Sequence, residues 1–216
     1  LGATMKQTSS TERTAVKASL RERNKTAKES IIRQTARRLF LKHGYEKTTL
    51  REIAKEADVG FGTVSAYSND KSGLLAMIFV EELKKLDPLF ADIPDKGDLL
   101  DQLVLGLGKL FAFWSAVPSL SAHVLQQMEF FHRNPHMDLI MARRKQARRE
   151  LAAFLSKKKE AGKIRSDVDI DRAADTLFAI YTSSVREWSI TMPHDQKKGI
   201  ARLRSLLELS VRGLQR

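Results

Sequence analysis

The chain has 216 residues, 42% of them hydrophobic, with 38 Lys and Arg against 26 Asp and Glu for a formal net charge of +12. That length is ample for a packed core, and the lack of any cysteine excludes disulfides, thiolate metal sites and Cys nucleophiles. No apolar run approaches a membrane span and no charged-apolar-small leader opens the chain, so a cytoplasmic protein is expected.

Charge is uneven along the chain. Residues 1–75 carry 15 basic against 8 acidic side chains and the remainder 23 against 18. The basic excess therefore favours phosphate contacts in the first third. Residues 1–23 are polar with little apolar periodicity and are predicted to be a disordered basic tail. Lys17, Arg21, Arg23 and Lys25 there read first as a solvated tail, and second as an arm laid along DNA.

From Lys28 to Phe40 the residues Ile31, Ile32, Thr35, Ala36, Leu39 and Phe40 share one helical face, with basic residues on the other. Gly44 stands where such a helix stops. A second helix starts at Thr49-Leu50-Arg51-Glu52. The Thr49 hydroxyl can cap its first turn and Glu52 can reach back to the cap's own N–H. Leu50, Ile53, Ala54 and Ala57 follow at helical spacing. Asp58-Val59-Gly60 breaks the pattern, since Asp tolerates the left-handed region and Gly enters it freely. Periodicity resumes from Phe61 to Tyr67. Two short helices about a turn apart suit a helix-turn-helix, although an αα-hairpin in any bundle has the same outline.

The run Ile31, Ala36, Leu39-Phe40, Gly44-Tyr45, Thr48-Thr49, Ile53-Ala54, Val59, Gly62-Thr63-Val64, Lys71 and Leu74-Leu75 resembles the DNA-binding domain of the TetR family of one-component transcriptional regulators. The resemblance covers residues 28 to 80. It implies that Arg51, Phe61, Gly62 and Thr63 face base edges, with Gly60 at the helix start and Ser65 also among the DNA-binding positions. Thr49, Tyr67 and Lys71 are then expected at phosphates. Three departures stand out. Asp58 and Gly60 replace the family's turn glycine and capping serine. The family's aromatic phosphate contact falls on Ser65. Its usual aromatic near the helix end falls on Ser68, and the aromatic between them moves the phosphate role to Tyr67.

Another helix is predicted from Lys71 to Leu86, and Pro88 to Gly97 reads as a linker. The domains expected are thus the tail at 1–23, the helix-turn-helix domain at 24–87, the linker at 88–97 and a second domain at 98–216. The second domain reads as five helices, at about 98–116, 118–132, 135–161, 169–191 and 195–214. Asn134-Pro135 supplies a cap and a first helical position, and Gly162 a stop. The fold class is all-α: a three-helix helix-turn-helix domain joined to a five-helix bundle. The family resemblance implies that the bundle binds an effector and dimerises.

Aromatic and Met residues cluster in that bundle. Phe111, Trp114, Met128, Phe131, Met141, Phe178, Tyr181 and Trp188 read either as core or as the wall of a ligand pocket, with His123 and Gln127 as polar handles. His132 and His136 have metal-ligand spacing, but Asn134-Pro135 should break the helix between them, so no metal is expected. Gly106-Leu107-Gly108 lacks the strand and third glycine of a dinucleotide fingerprint and reads as close helix packing. No cofactor is expected, and no nucleophile motif supports an enzyme. The basic run from Arg143 to Arg149 and Lys157-Lys158-Lys159 read mainly as a solvated face. Leu177, Ser184 and Val185 on the penultimate helix, with Leu203, Leu207, Val211 and Leu214 on the last, are expected in a two-fold interface.

The reading is a ligand-responsive homodimeric regulator, a repressor released from a palindromic double-stranded DNA operator by a small, largely apolar effector. The alternative is a non-enzymatic architectural or adaptor protein that binds nucleic acid without sequence preference.

Overall fold

The computed structural model describes residues 4–86, 88–130 and 134–215, with only the backbone described over 4–21. Among them the chain is all-helical, and it divides into two compact units, 1–74 and 75–216.

In the first unit, α1 (Thr4–His43), α2 (Leu50–Glu56) and α3 (Phe61–Tyr67) are followed by the start of α4 (Lys71–Leu83). The expected disorder is corrected for residues 4–23, because α1 is helical from Thr4 onward, while residues 1–3 lie outside the described residues. No Gly or Pro interrupts Thr4–His43, and extending a nucleated helix costs far less than starting one. Ile32, Ala36, Phe40, Ile53, Val64 and Leu74 are buried and form the core of this unit. Gly44 ends α1 at φ +87° with its N–H on the Phe40 carbonyl at 3.0 Å. The buried Thr48 hydroxyl donates to the Gly44 carbonyl at 2.9 Å and so secures that stop.

The second unit holds α5 (Leu99–Ser115), α6 (Pro118–Glu129), α7 (Pro135–Glu160), α8 (Ile170–Ile190) and α9 (Gln196–Leu214). These are the five helices expected, each start within a residue of its predicted place. Asn134 caps α7, its side chain accepting the Met137 N–H at 2.8 Å. The division between units falls inside α4, upstream of the predicted seam at 88–97. Residues 88–97 are non-helical but packed: Leu89 is buried, and the Phe90 ring stacks on Phe154 at 4.8 Å. A Cβ on Gly106 would meet that ring at 2.1 Å, so the glycine is what admits it.

On α7 the residues Arg143, Ala147, Leu151, Phe154 and Lys158 recur every three or four positions and turn inward. The solvated-face reading is corrected for two of them. Arg143 has a side chain only 12% exposed and pairs with Glu150 at 3.5 Å. Lys158 is buried and pairs with the exposed Asp95, which holds the Asp95 carboxyl below its ordinary range.

The dimer residues are also corrected. Leu177, Ser184, Val185, Leu203, Leu207 and Val211 are all buried within the single chain, and only Leu214 keeps partial exposure. The apolar stripes of α8 and α9 close on α5 and on each other, so their surface is spent before a partner arrives. A Cβ on Gly199 would meet Phe111 at 2.4 Å, which shows how closely α9 approaches α5. Leu207→Ala is therefore expected to lower subunit stability by about 2–5 kcal/mol in urea unfolding. The sedimentation of the folded species should be unchanged. Dissociation with unaltered subunit stability would put Leu207 on an intersubunit surface.

Candidate DNA interface and effector cavity

Thr49 and Glu52 start α2 with a reciprocal cap. The Glu52 N–H donates to the Thr49 hydroxyl at 3.2 Å, and Glu52 Oε2 accepts the Thr49 N–H at 2.7 Å and its hydroxyl at 2.9 Å. The Thr49 hydroxyl proton is thus given to Glu52 as the chain stands. Arg51, one residue on, is exposed, with its guanidinium 5.9 Å from the centre of the Phe61 ring. Asp58 makes the turn at φ +52°, the left-handed conformation the sequence asked of it.

Gly60 precedes α3 and gives no side-chain cap. Phe61 is 49% exposed, Gly62 is exposed, Thr63 and Ser65 are partly so, and Val64 alone in α3 is buried. The face bearing Phe61, Gly62 and Thr63 is open, and a Cβ on Gly62 would meet nothing within 4 Å. Tyr67 is placed differently from its expected part at a phosphate. Its phenol donates to the Lys25 carbonyl at 2.8 Å, tying the end of α3 to α1, and burial raises its pKa. Lys71 donates to the carbonyls of Tyr45 at 3.1 Å and Glu46 at 2.9 Å, so two of its three hydrogens hold the loop after α1.

In the second unit a cavity opens among α4 to α8. Leu83, Leu110, Trp114, Leu125, Met128, Ile140, Ala147, Phe178, Tyr181 and Val185 supply its apolar lining, with Arg143, Arg144 and Thr182 as polar members. It offers about 50 Å³ to the centre of a water-sized sphere. The Tyr181 hydroxyl is buried beside Trp114, and burial pushes its pKa up. Outside the cavity, Met141, Arg144, Lys145, Arg148, Asp175, Phe178 and Ala179 line a second groove. Arg144 and Phe178 belong to both.

Of the expected pocket residues, Trp114, Met128, Phe178 and Tyr181 line the cavity. Met141 lines the outer groove instead. Phe111 and Trp188 pack on each other at 5.6 Å in the α5–α8–α9 core. His123 and Gln127 lie on α6 outside the cavity lining, and Phe131 lies outside the described residues. Sequence reasoning missed Arg143 and Arg144 as cavity residues. Their signal was the helical spacing from Arg143 to Ala147 and Leu151, obscured by the surrounding positive charge. Among the described residues no cluster of His, Asp or Glu has the form of a metal site. No single helix among them is long and apolar enough to cross a membrane.

The family model described as bacterial regulatory proteins, tetR family, matches residues 32–78, the span from α1 to α4 that carries the helix-turn-helix. Over those residues the chain is similar to the TetR family. It is similar to the fatty acid metabolism regulator protein of Bacillus subtilis, 26% identical over 195 residues, which cover 89% of this chain and 98% of that one. Its fold resembles the transcriptional regulator FadR from Bacillus subtilis in complex with stearoyl-CoA, with TM-score 0.63 and 23% identity over 86% of this chain and 99% of that one. It also resembles Thermus thermophilus FadR, a TetR-family transcriptional repressor, in complex with lauroyl-CoA, with TM-score 0.60 and 23% identity over 86% and 94%.

The α2 cap has a measurable acid limit. The Thr49 N–H and then its hydroxyl hold the Glu52 carboxyl below its ordinary 4.5. A depressed folded pKa contributes stability that is present above the ordinary value and is lost as pH falls through the folded one. Glu52→Gln should therefore be less stable than the parent at about pH 7, and the gap should shrink as pH falls below the ordinary 4.5. Urea melts across that range measure it, and a gap independent of pH would mean the carboxylate charge has no part in the cap.

Proposed function

We propose that the chain is a homodimeric repressor that leaves a palindromic operator when its five-helix unit takes up a long-chain acyl-CoA. The observation that carries this is the wall formed by Arg144 and Phe178. On its inner side lies a cavity of apolar lining, suited to an acyl chain. On its outer side lie Arg144, Lys145 and Arg148, suited to phosphates. Arg148 is meanwhile held by Asp175 at 2.8 Å, a pair that a phosphate has to displace. The stearoyl-CoA and lauroyl-CoA complexes of similar folds support the same ligand class.

The cavity has room for a few waters and not for a long chain, so uptake must move its walls. That requirement gives the ligand different affinities for closed and open forms, which is what an effector needs. Leu83 stands in the wall at the end of α4, and α4 begins at Lys71, soon after α3, the recognition helix in this reading. Displacing Leu83 therefore acts on the helix that leads out of the DNA-binding unit.

Base reading falls to Arg51, which can grip a guanine, and to Phe61 and Thr63, which can meet a thymine methyl. For the dimer, the faces of α8 and α9 that the subunit leaves open carry Leu209, 71% exposed, with Ile180 and Leu206 partly exposed and Ala179, Ser183 and Gly213 small. A two-fold axis there sets two recognition helices about one DNA turn apart, roughly 34 Å, or a multiple of it. This reading places the protein in the cytoplasm, with the DNA it binds.

Selection from a pool of random duplexes should return a palindrome. Stearoyl-CoA should release that duplex while CoA or stearate alone does not. Arg51→Ala should cost about 1–3 kcal/mol on the selected site and much less on random DNA. Selection without any consensus would favour the architectural alternative, and release by CoA alone would remove the acyl chain from the account.

A further inference from the structure

The DNA-binding unit has a second wall that the helix-turn-helix pattern does not include. Asn24, Lys25 and Lys28 of α1 face Gly62, Thr63 and Ala66 of α3 across an open groove, with Tyr67 at its end. We propose that this groove seats one strand of duplex DNA by its phosphates, with Lys25 and Lys28 as the cationic wall beside the recognition helix. The proposal rests on the DNA-binding reading above and extends it to α1.

Three observations support it. First, α1 runs unbroken from Thr4, so Lys25 and Lys28 are side chains of a formed helix at fixed spacing rather than of a loose tail. Both are exposed. Second, the Tyr67 phenol donates to the Lys25 carbonyl at 2.8 Å and pins this part of α1 beside the α3 face that carries Gly62 and Thr63. Tyr67 is thus a positioning residue. Third, the floor is made of small residues. A Cβ on Gly62 would meet nothing within 4 Å, and the Thr63 hydroxyl adds a donor. Small floor and ammonium wall match a phosphodiester strand and offer little to an apolar partner.

The acidic groups near this wall are Glu22 and Glu29, whose charge reaches Tyr67. Glu29 is paired with Arg33 at 3.6 Å, and Arg23, Lys25 and Lys28 outnumber the two carboxylates. Contacts of this kind carry no sequence information, so their loss weakens all duplexes alike.

The test measures salt dependence of binding to a short random-sequence duplex and to the selected site, using the full chain. Lys25→Ala/Lys28→Ala should make the slope of log K against log salt shallower by about 1.8, near 0.9 for each phosphate lost. The preference for the selected site should not change. Lys25→Arg/Lys28→Arg should keep the parent slope, and Tyr67→Phe should lose part of it. Circular dichroism checks that the helices persist, and alanine favours a helix at both positions. An unchanged slope in the double alanine protein, with the parent binding DNA normally, overturns the proposal and leaves the regulator reading standing. A parent that binds no duplex at all overturns both.

Discussion

The second unit is built around a charge that cannot face water. The Arg143 side chain is almost wholly enclosed, and its partner Glu150 lies 3.5 Å away and nearly as covered. Leaving such a charge unpaired costs several kcal/mol, whereas replacing the whole pair by apolar groups often costs nothing. The pair is therefore a constraint on geometry more than a source of stability. It fixes the rotation of α7, and with it the inward stripe through Ala147 and Leu151 and the exposure of Lys145 and Arg149. Glu150 also accepts the Leu89 N–H at 3.0 Å, which ties the segment after α4 to the same helix.

That constraint explains why the cavity is small yet not purely apolar. Arg143 brings a cation to an apolar wall, Arg144 lies on the boundary with the outer groove, and the Tyr181 hydroxyl is buried in the lining. Arg143 is held by Glu150 and Arg144 by the Thr182 hydroxyl at 3.4 Å, so the polar rim consists of paired groups that the proposed acyl-CoA would meet.

The DNA-binding unit was legible in the sequence because its determinants are local. Thr49 and Glu52 cap α2 as their spacing required, Asp58 takes the left-handed turn, and Gly44 ends α1. The five later helices were equally plain from periodicity and from Asn134-Pro135. The dimer residues and most of the pocket were not, because an amphipathic stripe does not say which neighbour covers it. Leu203, Leu207 and Val211 read the same whether they meet their own chain or another. Phe111 and Trp188 looked like pocket aromatics until Gly199 brought α9 down on them. The tail misled for a related reason: lack of an apolar face says nothing against a helix when no Gly or Pro stops it.

The cavity, as proposed, is the closed form of an acyl site. A crystal structure with stearoyl-CoA bound tests this most directly. The account predicts the acyl chain between Trp114, Ile140 and Tyr181 in an enlarged cavity, with the CoA phosphates on the side of Lys145 and Arg148. A chain bound elsewhere, with this cavity unchanged, would contradict the account.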